Sequence, residues 1–485
     1  MEIVGIAPNL VQVLAWTMGL YVVLMFGISF YAQKRVESAE DFVVAGRRLS
    51  LPLATATLLA TWFGAGTLMT ATDEVRQRGV EAATLDPLGA GLCLLLVGAF
   101  FAAPLWKEKL ITLPELFGRR YGPSTGVFSA ALMIPPYLGW IAAQFIALAQ
   151  ILELFFGLPV GVGVALTAVV GLGYTLLGGM WAVTLTDTAQ MILIAVGLVV
   201  MTAVVAGHMG DGSVAQGLTQ IWEQTPEAKR ALIPTEKLGA FMGWVGVLCA
   251  GSLGNIPSQD VMQRVFSARS ASTARWACLI GGGLYIALGS VPVVLGLAGA
   301  ALFSPEQTQA TLPMLASLFL HPALAVLFVL TLLSAVLSTL DSALLAPGTV
   351  LARDLLARTK RFKPQNADSG GLGLVRLSVT LVAAVSLGLA YAGESAYSLL
   401  ESGYELGMVS LMAPLTYAVY SKVTARTPAL ASMLSGTALW LIHAALGWED
   451  FLNIEGFWVP MALVCTLVSY AAFPLAAKVS QRDAE

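Results

Sequence analysis

A chain of 485 residues, 57% of them hydrophobic and only 11% charged, with a mean hydropathy of +0.79, falls outside the soluble range, where about a quarter of residues are charged. It reads as a polytopic membrane protein. The net charge of −3 comes without any basic stripe, which leaves out nucleic acid as a partner, and Cys93, Cys249, Cys278 and Cys465 lie singly in apolar segments, so they read as packing residues rather than disulfides or metal ligands.

Apolar segments long enough to cross about 30 Å of hydrocarbon fall near 10–31, 50–72, 84–106, 124–157, 158–180, 182–207, 239–258, 276–303, 323–350, 374–393, 401–420, 428–446 and 456–477, which predicts about 13 transmembrane helices. The first is too long for a signal-peptide core and runs into Gln33-Lys34-Arg35 without a clear cleavage site, so it is taken as a retained span. With the N-terminus outside, the cytoplasmic loops collect Lys34, Arg35, Arg47, Arg48, Lys107, Lys109, Arg119, Arg120, Arg264 and the basic stretch 351–373. The opposite side keeps Arg76, Arg78, Lys229, Arg230 and Lys237. This positive-inside bias predicts an odd number of spans and a cytoplasmic C-terminus, and the default location expected for such a multi-pass chain is the plasma (inner) membrane.

Two spans are interrupted. The second holds Trp62-Phe63-Gly64-Ala65-Gly66-Thr67 and the seventh holds Gly251-Ser252-Leu253-Gly254-Asn255-Ile256-Pro257-Ser258. Broken backbone is tolerated at membrane depth only against protein or a wet cavity, and a pair of breaks in matching places points to two inverted repeats of five helices. The other reading is that the glycines serve close helix packing. The boundaries expected are a leading helix and loop at 1–49, a first repeat at 50–207, a second at 239–420 and trailing helices with the C-terminal tail at 428–485, all in one transmembrane domain. Residues 208–238 could form an external helix, and Pro364 to Gly371 reads as a flexible connection.

The chemistry-bearing residues lie on the sixth and ninth spans. Gly178-Gly179 opens the sixth, and Asp187 follows, either as a cation ligand or as a wet, near-interfacial carboxylate. On the ninth, Ala335, Ser338, Thr339 and Ser342 fall at i, i+3, i+4 and i+7 and share a helix face, with Asp341 at its flank. A carboxylate at the centre of a membrane helix costs roughly 2.5–3.5 kcal/mol on insertion scales, so it needs a partner. Hydroxyls and carbonyls are hard ligands that can replace the hydration shell of Na⁺; the competing reading of this face is a polar helix–helix contact. Asp187 and Asp341 together could serve one cation site or a proton-coupled pair.

The blocks Ala60-Thr61-Trp62-Phe63-Gly64-Ala65-Gly66-Thr67, Gly178-Gly179…Thr186-Asp187…Gln190, Gln263-Arg264-Val265-Phe266-Ser267-Ala268 and Ala335…Ser338-Thr339…Ser342 resemble, in order, the sodium/solute symporter family. The resemblance implies an all-α LeuT-type fold, with one helix before the ten-helix core and two after it, and a sodium-coupled importer of a small organic solute working by alternating access. It implies a sodium site from the carbonyls of Ala60, Phe63 and Ala335 and the hydroxyls of Ser338 and Thr339. Asp187, Ser338, Asp341 and Ser342 correspond to a second cation site found in some members, although Asp341 stands where some two-sodium members have serine. Among the branches the look is nearest to the choline transporters. Trp62 and Trp140 match aromatic positions there, while Ser258 replaces an expected tryptophan. Gly64, Thr67, Tyr137 and Gln144 complete the candidates for solute contact, with Asp86 and Glu405 as weaker ones.

The implied solute is a choline-like amine, betaine, proline or another small zwitterion, and the implied partners are that solute, Na⁺ and the bilayer, without nucleic acid. No Gly-x-x-x-x-Gly-Lys loop, His-Glu-x-x-His pair or repeated filter loop is found in the sequence, so neither an ATPase nor an enzyme nor a channel is expected. The alternatives are a proton-coupled transporter and a non-transporting solute sensor.

Overall fold

In hydrocarbon every backbone N–H and C=O must find its partner inside its own segment, so apolar runs of this length have little choice but to become helices. The computed structural model describes residues 8–304, 306–307, 310–359, 369–392, 403–448, 450–454 and 457–482. Among these residues the helices, in chain order, are α1 (Pro8–Gln33), α2 (Leu51–Trp62), α3 (Gly66–Arg78), α4 (Val80–Lys107), α5 (Pro123–Phe156) and α6 (Val160–Met209). The second half continues with α7 (Leu238–Leu253), α8 (Gln259–Ser267), α9 (Ala271–Leu302), α10 (Pro322–Arg358), α11 (Ser369–Ala392), α12 (403–420), α13 (Arg426–Leu446) and α14 (Met461–Arg482).

Among the described residues, nine helices are long and apolar enough to cross a membrane singly, and the pair α2 and α3, bent by 61°, forms a tenth crossing. Three features separate this number from the thirteen segments expected. The fifth and sixth segments form one run of 50 residues, α6. At 1.5 Å per residue it would be about 75 Å long if straight, more than twice the hydrocarbon thickness; Gly179, at φ 51 and ψ −139, breaks it where the sequence suggests. Helix α7 has only 16 residues, because the chain turns after Leu253 and resumes as α8. Part of the eleventh segment lies outside the described residues.

A helix does form within the 208–238 stretch, at Val214–Gln224. The expected flexible stretch lies outside the described residues from Pro364 to Asp368, while Ser369 to Gly371 open α11. A small antiparallel hairpin, β1 (Asp450–Ile454) with β2 (Phe457–Pro460), precedes α14, and β2 takes up the start of the segment expected to be helical. Its Trp458 ring lies against Gly239 of α7, tying the trailing helices to the second repeat.

Burial sorts the helices. Helix α1 is peripheral and turns Trp16, Leu20, Val23 and Leu24 outward, as a lipid-facing helix does. Helix α10 is the opposite case, with every residue from Thr331 to Val350 buried. It packs on α5, α6, α2 and α8, so its hydroxyls and Asp341 face protein rather than lipid. Helix α8 is polar in sequence, yet all of its residues are buried as well.

Candidate functional site

The break between α2 and α3 meets the polar face of α10. Helix α2 ends at Trp62; Phe63, at φ −76 and ψ 62, leaves the helical region. The Gly64 amide turns to the Trp62 carbonyl at 2.8 Å, which withdraws the donor that an unbroken helix would offer to Ala60. The Ala60 carbonyl instead accepts from the Thr339 hydroxyl of α10, at 3.5 Å. Gly64 allows this approach, since a Cβ there would collide with the Thr339 side chain. Next to it, the Ser338 hydroxyl donates to the Ala335 carbonyl at 3.0 Å. Ala60, Phe63, Ala335, Ser338 and Thr339 are all fully buried, and the break is capped from α5, where Gln144 Oε1 accepts from the Ala65 amide at 3.3 Å.

A second polar cluster lies among α2, α6, α8 and α10. Asp187 is fully buried, which removes the wet, near-interfacial reading. Its Oδ2 accepts from the Thr57 hydroxyl at 2.5 Å and its Oδ1 has no hydrogen-bond partner. Asp341 accepts from Ser342 at 3.2 Å and from Thr186 at 3.5 Å. Arg264 of α8 donates to the Ser342 hydroxyl, and its charge acts on both Asp187 and Asp341. Arg264 therefore does not belong to a cytoplasmic loop. It is a fully buried guanidinium, tolerated because two carboxylates face it.

A cavity of about 60 Å³ opens beside the break, between α2, α5, the 254–258 turn and α12. Four of the candidates for solute contact line it: Trp62, Tyr137, Trp140 and Ser258. The Tyr137 and Trp140 rings stand 6.0 Å apart, and Ser258 Oγ has no hydrogen-bond partner. The remaining candidates have other tasks. Gly64 seats Thr339, Gln144 caps the break, and Thr67 bonds Asp86 at 2.6 Å and the Tyr285 hydroxyl at 2.6 Å. Asp86 also accepts from Tyr285 at 3.0 Å, and Glu405 accepts from Trp440 of α13 at 2.9 Å. Asp260 and Tyr404, which the sequence reading passed over, line the cavity too. The signal that marks Asp260 is an acid three residues after Pro257 of the break, at the first turn of a helix.

Two interrupted helices that meet over a buried polar cleft in an inverted-repeat bundle define a secondary transporter of the LeuT type. The chain matches the model of the sodium:solute symporter family over residues 42–436 and belongs to that family. It is 26% identical over 436 residues to the high affinity choline transporter 1 of Homo sapiens, covering 86% of this chain and 73% of that protein. It is also 26% identical over 459 residues to the high-affinity proline transporter PutP of Bacillus subtilis (strain 168), covering 89% and 93%. A solved structure of a Na⁺-coupled sialic acid symporter in a substrate-bound outward-open state superposes with a TM-score of 0.80 at 18% identity, over 96% of this chain and 98% of that one, and bears on the fold.

Proposed function

We propose that this protein imports a small organic solute with one sodium ion per cycle, and that the ion is held by the carbonyls of Ala60, Phe63 and Ala335 and the hydroxyls of Ser338 and Thr339. The observation that carries the ion site is the pairing of the freed Ala60 carbonyl with the Thr339 hydroxyl across α2 and α10. Hard oxygen donors that lack a regular helical partner suit a dehydrated Na⁺. An ion held there joins α2 to α10, so its arrival favours one arrangement of the two repeats and its release to the cytoplasm frees them.

The second cluster takes no second sodium in this reading. The Arg264 guanidinium already supplies a positive charge to Asp187, Asp341 and Ser342. The solute is a choline-like amine, betaine, proline or another small zwitterion, a range supported by the choline and proline transporters among the relatives. The repeats comprise 50–207 and 239–420, with 1–49 leading and 428–485 trailing. The distribution of Lys and Arg supports an external N-terminus and a cytoplasmic C-terminus, and import of a solute fits a plasma membrane location.

Equilibrium binding of radioactive sodium to the purified protein tests the ion site. Saturable binding is expected, weakened at least about tenfold in Thr339→Ala, which removes one ligand. Sodium binding that Thr339→Ala leaves unchanged places the ion elsewhere. Solute accumulation in liposomes driven by a proton gradient, with no response to sodium, would favour proton coupling, and binding without accumulation would make the protein a sensor.

A further inference from the structure

The ion chemistry proposed above leaves Asp260 without a task, although it is 1% exposed and lines the cavity. Its carboxylate accepts from the Trp62 indole N–H at 2.6 Å and from the Tyr137 hydroxyl. Its place in the first turn of α8 adds the positive end of a helix. Both side-chain donors are uncharged, so neither supplies a counter-charge to the carboxyl group. Arg264, one turn further on, donates to the main-chain oxygen of Asp260 at 3.1 Å and to Ser342, and its charge serves Asp187 and Asp341. No ion pair among the described residues includes Asp260, and no Lys, Arg or His lines the cavity.

We propose that the cavity takes a small organic monocation of the alkylammonium class, and that Asp260 is the residue that selects its positive charge. This rests on the symport reading above and narrows its list of solutes. A buried carboxylate hydrogen-bonded only by neutral groups lacks a counter-charge, and a cationic solute supplies it. The faces of Trp62, Tyr137 and Trp140 attract the same charge through their ring quadrupoles. The indole N–H bond to Asp260 fixes the Trp62 ring in the cavity wall, so the acid and the aromatic surface act together. A zwitterion would bring its own carboxylate to a cavity that offers no basic partner and already holds Asp260, an arrangement that rejects it. The unpartnered Ser258 hydroxyl is free to bond a polar end of the cation.

The test uses purified full-length protein in saturating sodium, with radioactive choline as probe. Tetramethylammonium, proline, glycine betaine and 3,3-dimethyl-1-butanol, the uncharged carbon isostere of choline, serve as competitors. Choline is expected to bind saturably and to exceed its isostere and both zwitterions by at least about tenfold. Asp260→Asn, which keeps the size and an acceptor for Trp62, is expected to lose about 10- to 100-fold in choline affinity without changing that of the isostere. Asp260→Glu keeps the preference for charge.

Equal binding of isostere and choline, tighter binding of proline or betaine, or undiminished choline affinity in Asp260→Asn overturns the proposal. So does failure of both choline and tetramethylammonium to bind. Where Asp260→Asn does not fold, the wild-type isostere comparison decides. Radioactive sodium binding, measured on the same samples, separates the two readings: its absence in the wild type strikes the sodium site and leaves the charge preference to be read independently.

Discussion

Arg264 is the residue whose environment departs furthest from its sequence context. It sits in a stretch rich in polar residues, so counting charge by side assigns it to a loop, whereas it lies fully buried against Ser342, within electrostatic reach of Asp187 and Asp341. Removing one partner of a buried charge cluster costs about 3–5 kcal/mol, because the other charges are left uncompensated. Arg264→Ala is therefore expected to lower the thermal stability of the protein, to regain it as sodium is added, and to bind two sodium ions per chain instead of one. A stoichiometry that stays at one, with no stabilisation by salt, would show that the guanidinium does not stand in for an ion. Asp187→Asn is expected to weaken the sodium dependence of uptake, since it alters the charge that Arg264 and Thr57 share. The hydroxyl face of α10, Asp187 and Asp341 were legible in the sequence because polar groups in apolar runs stand out. Asp260 and Arg264 were not, because both lie in a short polar segment that resembles a loop until its burial is known.

The same limit holds for whole elements. Hydropathy finds the segments that face lipid, such as α1, and those buried in other helices, such as α10, since both are apolar. It misses α8, which is polar and enclosed by protein, and it divides α6 correctly only because Gly178-Gly179 interrupts the run. At Gly179 the backbone is left-handed, and a Cβ would strike the Phe42 carbonyl. Gly179→Ala should cost about 1–3 kcal/mol, read as a fall in the melting temperature. At Gly64 the collision is with Thr339 itself, so Gly64→Ala should raise the sodium concentration for half-maximal uptake at least about tenfold, more than it lowers thermal stability. An unchanged sodium dependence in Gly64→Ala would mean that α2 and α10 need not approach so closely for the ion to bind. Strand β2 left no clear trace in hydropathy, because Phe457–Pro460 is as apolar as a helix start.

At the scale of the whole molecule, the proposed sodium ligands are divided between the two proposed repeats: Ala60 and Phe63 from the first, Ala335, Ser338 and Thr339 from the second. An ion that touches both can shift the population of inward and outward forms only by its difference in affinity for the two. A cysteine at Ser258, on the cavity wall, reports that shift. Sodium is expected to change the rate at which Ser258→Cys reacts with an impermeant thiol reagent several-fold, and adding Thr339→Ala should abolish the response. Equal rates with and without sodium would detach the ion from the rocking motion.

A guanidinium bonded to the chain cannot leave with the cargo. If Arg264 supplies the positive charge of the second cluster, as proposed, it contributes nothing to the current, and the electrical work of the cycle is set by the mobile ion and the solute alone. At about 2.3 kcal/mol per charge for each 100 mV, a neutral solute travelling with one sodium would draw on the membrane potential once. A cationic solute would draw on it twice, and the accumulation it can reach at steady state would respond to depolarisation with the steeper slope.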